Sequence, residues 1–265
     1  QGLYLPGTNI KILNPKNLDF KKTDIIIIFA WNYFDTIIKN LKKNKSYKKN
    51  EVQSFCMNEV PAVTKILLNK LNFTEDSLTK LKIFHKALLE RNKKYNLIGK
   101  STESIIWTRH ILDSAQLVRY IKFEDNYSVA DLGSGGGFPG LIIAIYNKNP
   151  LFHVKLFEKS PVKVAFLQEM IKILDVKAQI KSGSYKEHSI DSNYIVCRAF
   201  KKLGEIMKIS REKALTSHKL IVLKGKNAQE EINIASKYFK FKYKLEDSIT
   251  DNDSKIILVD VIKSE

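Results

Sequence analysis

Residues Val129-Ala130-Asp131-Leu132-Gly133-Ser134-Gly135-Gly136-Gly137-Phe138-Pro139-Gly140 form the strongest pattern in this 265-residue chain. An apolar run ends in an acid, passes through a loop with glycine at alternate positions, and enters a helix start. Glycine lets the backbone turn at φ > 0 and approach a ligand closely. The first turn of a helix presents N–H groups that have no partner inside the helix. The pattern predicts a nucleotide-type crevice at the carboxyl end of a first strand. The same residue types also suit a tight strand-to-helix turn that holds no ligand.

The spacing excludes the commonest nucleotide loops. A dinucleotide fold wants G-x-G-x-x-G and a phosphate loop wants G-x-x-x-x-G-K-[ST]. Here the glycines run G-x-G-x-G with no Lys-Ser or Lys-Thr behind them. Asp131, two residues before the first glycine, suits a cationic amine better than a pyrophosphate. A second apolar run, Val154 to Phe157, ends in Glu158, where an acid can accept hydrogen bonds from ribose hydroxyls. Acid, loop and second acid together resemble the S-adenosylmethionine pocket of a Rossmann-like methyltransferase.

The flanking sequence fits an α/β chain. From Val60 to Tyr120 the pattern is helical: Thr74 can cap a helix whose first turn holds Glu75 and Asp76, and Leu78, Leu81, Phe84 and Leu88 recur on one face. A polar break, Asn92 to Lys100, precedes a second helix near Ser101. Beyond Ser128, short apolar runs alternate with helical stretches: Val129–Leu132, Val154–Phe157, Ala178–Ile180, Tyr194–Cys197, Leu220–Leu223 and Ile256–Val261. Alternation of that kind predicts a mostly parallel sheet with helices on both faces. Ligands in such sheets bind outside the carboxyl ends of the strands, where Gly133, Glu158, Arg198 and Lys224 all fall. There is no internal repeat.

Composition narrows the class. The longest strongly apolar run, Ile25 to Ala30, is six residues, too short to span a bilayer, and no secretory signal stands out. Cys56 and Cys197 are the only cysteines, which disfavours a disulfide framework or a zinc cluster and suits the reducing cytoplasm. No membrane partner, no metal and a monomer are expected. The net charge is +17. Such charge suits a polyanion, held through counterion release. Only five of the 45 basic residues are Arg, and Ile and Asn are abundant, so lysine-rich codon usage is the competing explanation.

Three segments are expected. Residues 1–56, with their strand-like Asp24 to Trp31, helix-like Tyr33 to Leu41 and lysine run Lys42 to Lys49, read as an extension or fused fragment outside the catalytic unit. The run from Gly7 to Leu41 within them, with its Phe29-Ala30-Trp31-Asn32, is similar to the tail of another, sugar-modifying methyltransferase family. Residues 57–122 read as a small helical region, and residues 123–265 as the S-adenosylmethionine-binding domain.

Five segments in order carry a more specific resemblance: Tyr95-Asn96-Leu97-Ile98, Arg109-His110-Ile111-Leu112-Asp113-Ser114, the Asp131 to Gly140 loop, Cys197-Arg198-Ala199-Phe200 and Leu223-Lys224-Gly225. The series resembles the bacterial small-subunit ribosomal RNA guanine-N7 methyltransferases, the glucose-inhibited division protein B family, over about residues 57–265. The resemblance implies a class I Rossmann-like fold. It also implies methyl transfer from S-adenosylmethionine to N7 of one guanine in a 16S rRNA loop near the decoding centre, with 16S rRNA or the small ribosomal subunit as partner. Guanine N7 carries an in-plane lone pair and no proton, so the reaction needs proximity and in-line orientation rather than a general base; no catalytic acid or base is expected. A methyltransferase acting on a small molecule or protein, and a non-catalytic ribosome-assembly factor, are the alternatives.

The resemblance also implies roles. Gly133, Gly135 and Gly137 are expected to bring backbone N–H groups to the cofactor. Asp131 is expected to hold its amino group or, failing that, to cap a helix; Glu158 is expected to bind its ribose. Phe138 either shapes the pocket or packs in the core. Tyr185 and Lys186 are placed beside the adenine through their backbone, in a segment where the family's Arg is replaced. On the substrate side stand Asn96, as pocket contact or turn cap, and Arg109, His110 and Asp113, with an Arg109–Asp113 helix pair as the bland outcome. Arg198 is assigned to cofactor carboxylate or RNA phosphate, with a structural ion pair as the alternative, and Lys224 to RNA phosphate or plain surface charge. Cys197 is expected to pack as a small apolar residue.

Overall fold

The computed structural model describes residues 59–263 in full, together with the backbone of Ile26–Ile27 and Val52–Gln53, which pair as two short parallel strands. Most of what the sequence suggests for residues 1–56, Cys56 included, lies outside the described residues. The chain divides into two compact units, Gln1–Glu59 and Val60–Glu265.

Two helices come next in the chain, α1 (Glu59–Leu71) and α2 (Glu75–Asn92). Thr74 starts α2 as its sequence predicts: its Oγ1 accepts the Ser77 N–H at 3.3 Å. Leu78, Leu81, Phe84 and Leu88 are all buried on one face, and the Ser77 hydroxyl donates to the Ile145 carbonyl at 3.1 Å, tying α2 to the sheet domain.

The helix expected near Ser101 is less regular than its sequence suggests. Lys100–Ile105 is a tight 3-10 turn, Trp107–Leu112 a widened π turn, Asp113–Ala115 one α turn and Gln116–Tyr120 a second 3-10 turn. A π turn inserts one extra residue per turn and often marks a functional position; here it carries Arg109 and His110. The break before it is held by Asn92. Its Oδ1 accepts the Leu97 and Ile98 N–H groups at 2.8 and 2.9 Å, and its Nδ2 donates to Glu103 at 2.6 Å.

Seven strands follow: β1 (Ser128–Leu132), β2 (His153–Glu158), β3 (Gln179–Ser182), β4 (Tyr194–Arg198), β5 (His218–Lys224), β6 (Tyr243–Asp247) and β7 (Lys255–Val261). Their order in the sheet is β3-β2-β1-β4-β5-β7-β6. All pairs are parallel except β5–β7 and β6–β7. Helices α3 (Gly140–Tyr146), α4 (Pro161–Ile173), α5 (Leu203–Lys213) and α6 (Ala228–Ser236) make the crossovers. Strand β1 is buried along its whole length, as a central parallel strand covered on both faces must be. Two apolar clusters result. One joins α1 and α2 to α3 and α4, and the other sits under α5 and α6. The strand order reverses at β1, with β2 on one side and β4 on the other, and ligands of such sheets bind in the crevice outside the carboxyl ends at such a switch point.

Asn92 is buried and makes three hydrogen bonds, so Asn92→Ala leaves two buried backbone donors without a partner. The expected loss is about 2 kcal/mol, read as a lower urea midpoint with an unchanged slope.

Candidate active site at the carboxyl ends of β1, β2 and β4

The glycine loop leaves β1 through Gly133, Gly135 and Gly137, all at positive φ (77°, 56° and 101°). The bend is stitched together by its own hydrogen bonds. Gly133 and Ser134 donate to the Phe157 carbonyl at 2.9 and 3.0 Å, and Gly137 and Phe138 donate to the Ser134 carbonyl at 2.8 and 2.9 Å. Gly135 donates to Glu158 Oε2 at 2.8 Å. The N–H groups of the three glycines are therefore engaged within the protein rather than presented to the crevice. What the glycines supply is the turn itself and the absence of side chains. A Cβ on Gly133 would lie 2.5 Å from the Phe200 ring.

Asp131 is fully buried under this loop. Its Oδ2 accepts the Gly140 N–H at 2.9 Å, capping α3. Gly140 has no room for a side chain, since a Cβ there would collide with Leu156 and lie 2.6 Å from Asp131 Oδ2. Asp131 Oδ1, equally buried, has no hydrogen-bond partner among the described residues. Burial is the main cause that raises its pKa to about 7, with the Glu158 charge adding to it and the Gly140 N–H working against it. The capping alternative is realised by one oxygen, and the other is a bare acceptor for a cationic or N–H donor. Glu158 is also drawn inward: its Oε1 accepts the Ser160 N–H at 2.8 Å while Oε2 holds Gly135.

Arg198, at the end of β4, joins the sheet to the helical region. Its Nε meets Asp113 Oδ2 at 3.1 Å and its guanidinium donates to the Arg109 carbonyl at 2.8 Å. The same guanidinium lies 5.6 Å over the Phe138 ring. Phe138 in turn packs against His110 (centroids 5.0 Å apart) and Phe84 (5.4 Å). Phe138 thus packs in the core and walls the joint at once. Asp113 Oδ1 accepts from Gln116 at 3.1 Å and Thr250 at 3.0 Å.

The Arg109–Asp113 helix pair does not form. Asp113 is taken by Arg198, and Arg109 reaches Asp251 at 3.3 Å. His110 Nε2 contacts Thr102 Oγ1 at 2.7 Å, while its Nδ1 is buried without a partner among the described residues. Burial, then the Arg198 and Arg109 charges, hold His110 down at about 3, so it is neutral at physiological pH.

Two further residues, Asn96 and Lys224, sit differently from their expected roles. Asn96 is exposed, and the turn is capped by Asn92 instead. Lys224 is largely buried. Its Nζ bonds Glu231 at 2.7 Å and the Lys201 carbonyl at 2.6 Å, so its charge is committed inside the fold rather than offered to phosphate. The Lys186 N–H donates to Ser184 Oγ at 3.3 Å and its carbonyl accepts from Lys213. Tyr185 stands edge-on to Phe200 at 5.5 Å. Sequence reasoning assigns no role to Phe200, whose ring packs against the glycine bend at Gly133. The fold marks it through Ala199 just before it, held at a positive φ of 47°, a strained position of the kind found at working sites. The Cys197 thiol is fully buried and pushed up by that burial, which fits an inert packing role.

Asp131 has a stability signature. The folded chain keeps its proton up to about pH 7, whereas an unfolded Asp releases it near 3.9. Between those values the folded state binds more protons, so stability falls as pH rises through the window, by up to about 1.4 kcal/mol per pH unit. Asp131→Asn is expected to flatten that slope in denaturant titrations between pH 4 and 7. Arg198→Lys cannot serve both Asp113 and the Arg109 carbonyl with a planar fork. It is expected to cut methyl transfer at least tenfold while the far-ultraviolet circular dichroism stays unchanged.

The chain is similar to several known proteins. Residues 77–257 match the family model described as rRNA small subunit methyltransferase G, and residues 1–55 match that of a C-methyltransferase C-terminal domain. A relative from Pelagibacter ubique named ribosomal RNA small subunit methyltransferase G is 33% identical over 204 residues, 75% of this chain and 95% of its own. One of the same name from Rickettsia felis is 37% identical over 182 residues, 69% and 92% of the two chains. Among solved structures, a SAM dependent methyltransferase from Aquifex aeolicus overlays with a TM-score of 0.47 at 10% identity, covering 67% of this chain and 98% of its own. With a crevice built from a glycine bend, two inward acids and an arginine joint, the chain belongs to the rRNA small subunit methyltransferase G family of S-adenosylmethionine-dependent enzymes.

Proposed function

We propose that this enzyme methylates N7 of one guanine in a 16S rRNA loop near the decoding centre. The observation that carries the reading is the chemistry of the crevice walls. His110, held near 3, is too weak a base to take a proton at neutral pH. Asp131 spends one oxygen on capping α3 and the Cys197 thiol is pushed up by burial. Such walls suit an acceptor that has a lone pair and no proton to lose, and guanine N7 is one. The net charge of +17 suits a polyanionic substrate, and the relatives' shared name points to small-subunit rRNA.

S-adenosylmethionine supplies the electrophilic methyl, carried on a cationic sulfur. The residues present fit it. Asp131, whose Oδ1 has no partner among the described residues, would hold the ammonium directly or through water, Glu158 would accept from the ribose hydroxyls, and Tyr185 and Lys186 would border the adenine. Gly133, Gly135 and Gly137 keep the floor free of side chains, and Phe138 backs the joint. Arg198, fixed by Asp113, sets the wall facing the guanine, with Arg109, His110 and Asn96 on the RNA side. The protein's work is orientation, which supplies roughly 7–11 kcal/mol in well-aligned systems. Residues 1–56 are read as an extension outside the catalytic unit, and the enzyme as a cytoplasmic monomer.

The test is chemical cleavage at N7-methylguanine in rRNA from cells with and without the gene. One cleavage site in 16S rRNA is expected to vanish with the gene and return with purified enzyme and cofactor. An unchanged cleavage pattern, or transfer to small acceptors alone, would overturn the reading.

A further inference from the structure

Residues 237–244 read Lys-Tyr-Phe-Lys-Phe-Lys-Tyr-Lys, four lysines and four aromatics with no acid among them. The fold sorts them by alternation. Phe239 and Phe241 turn inward onto the cluster under α5 and α6, while Lys237, Tyr238, Lys240, Lys242, Tyr243 and Lys244 are exposed. Tyr238 is 78% exposed and Tyr243 43%. The segment is anchored rather than loose. The Arg211 guanidinium lies 5.1 Å over the Phe239 ring and donates to the Lys240 carbonyl at 2.9 Å, and Tyr238 and Phe239 both donate to the Ala235 carbonyl at 3.0 Å. Lys244, at the end of the run, pairs with Glu246.

Strand β6 is one of the two edge strands of the sheet. Tyr243 pairs with Val259, which pairs with Leu220 near the start of β5. The patch therefore sits at the amino ends of the parallel strands, opposite the glycine loop. Four strand spacings separate β6 from β1, about 19 Å, and the length of β5 adds roughly 15–20 Å in the other direction. No single nucleotide bridges such a distance, so this surface is separate from the crevice.

We propose that this edge is a second RNA contact, where the exposed lysines neutralise phosphates and Tyr238 and Tyr243 stack on unpaired bases of the same rRNA whose guanine enters the crevice. Lysine-rich composition accounts for exposed lysines anywhere on the surface. It does not account for two exposed tyrosines interleaved with them on an anchored, acid-free segment. Interleaved cations and aromatic faces are what single-stranded nucleic acid is held by. The proposal rests on rRNA being the substrate, and its test reads binding rather than turnover.

The experiment measures binding of the full-length chain to naked 16S rRNA by filter retention across a salt series. It uses Lys237→Glu/Lys240→Glu/Lys242→Glu, its neutral counterpart with glutamines, and Tyr238→Ala/Tyr243→Ala. The glutamine variant is expected to lower the slope of log affinity against log salt by about 2–3, at roughly 0.7–0.9 for each phosphate no longer neutralised, and the glutamate variant to weaken binding further. The tyrosine variant is expected to bind at least fivefold more weakly with the slope unchanged. Binding of S-adenosylmethionine, and of a short hairpin too small to leave the crevice, is expected to stay at wild-type strength in all three.

An unchanged slope and affinity for 16S rRNA would overturn the proposal, as would an equal weakening on the short hairpin. Weakened binding to the assembled small subunit with naked 16S rRNA unaffected would also overturn it, by pointing to a ribosomal protein instead. Absence of methyl transfer by the wild-type chain would instead count against the function proposed above, and leaves the binding slopes readable.

Discussion

A fully buried carboxyl group sits at the centre of this fold. Asp131 lies at the end of the central strand, under the glycine bend, with one oxygen on the first N–H of α3 and the other without a partner among the described residues. A buried, half-satisfied acid is costly, and several neighbouring choices follow from keeping it. Gly140 must lack a side chain for α3 to come down onto the acid. The loop must double back within a few residues, so three glycines take positive φ and the N–H groups are used up inside the bend. The three N–H groups of those glycines are thus spent, and the bend offers a ligand chiefly its shape, the Gly136 N–H and the one oxygen beneath it without a partner among the described residues.

The second constraint is the joint between the helical region and the sheet. Arg198 leaves β4 and is gripped by Asp113 and by the Arg109 carbonyl, with Phe138 of the glycine loop beneath it. Three segments far apart in sequence meet on one guanidinium. Displacing any of them shifts the others, because the ring of Phe138 also contacts His110 and Phe84. The buried pair does not by itself imply large net stability. Its consequence is geometric, since it fixes where the wall of the crevice stands relative to its floor.

What the sequence discloses is local. The glycine bend, the acids that end β1 and β2, the Thr74 cap and the apolar stripe of α2 each lie within a window of a few residues and obey periodicity or capping rules. What it hides is pairing. Arg109 and Asp113 are correctly spaced for a helix pair, yet each finds a better partner in the folded chain, Asp251 and Arg198. Lys224 looks like a free cation at a strand end until Glu231 is brought beside it. Strand β6, Tyr-Lys-Leu-Glu-Asp, carries too many charges to read as a strand, and it forms because β7 offers an edge to pair with. In the sequence Asn92 merely opens a polar break. In the fold it organises that break, which only its burial reveals.

The two acids of the crevice are prepared differently, and the difference follows from their bonding. A carboxylate has about four lone-pair sites on its two oxygens. Glu158 spends one site on each oxygen, on Gly135 and Ser160, and retains acceptor capacity on both. It can take two hydroxyl donors without releasing either backbone N–H, so its orientation is set before any ligand arrives. Asp131 spends one oxygen on the helix cap and leaves the other wholly unsatisfied, in a setting that favours the protonated form. A cation beside that oxygen would favour ionisation and lower the cost of burying the acid. A neutral group of the same shape would gain much less, so under the cofactor placement proposed above the bend would discriminate by charge through Asp131 and by hydroxyl placement through Glu158.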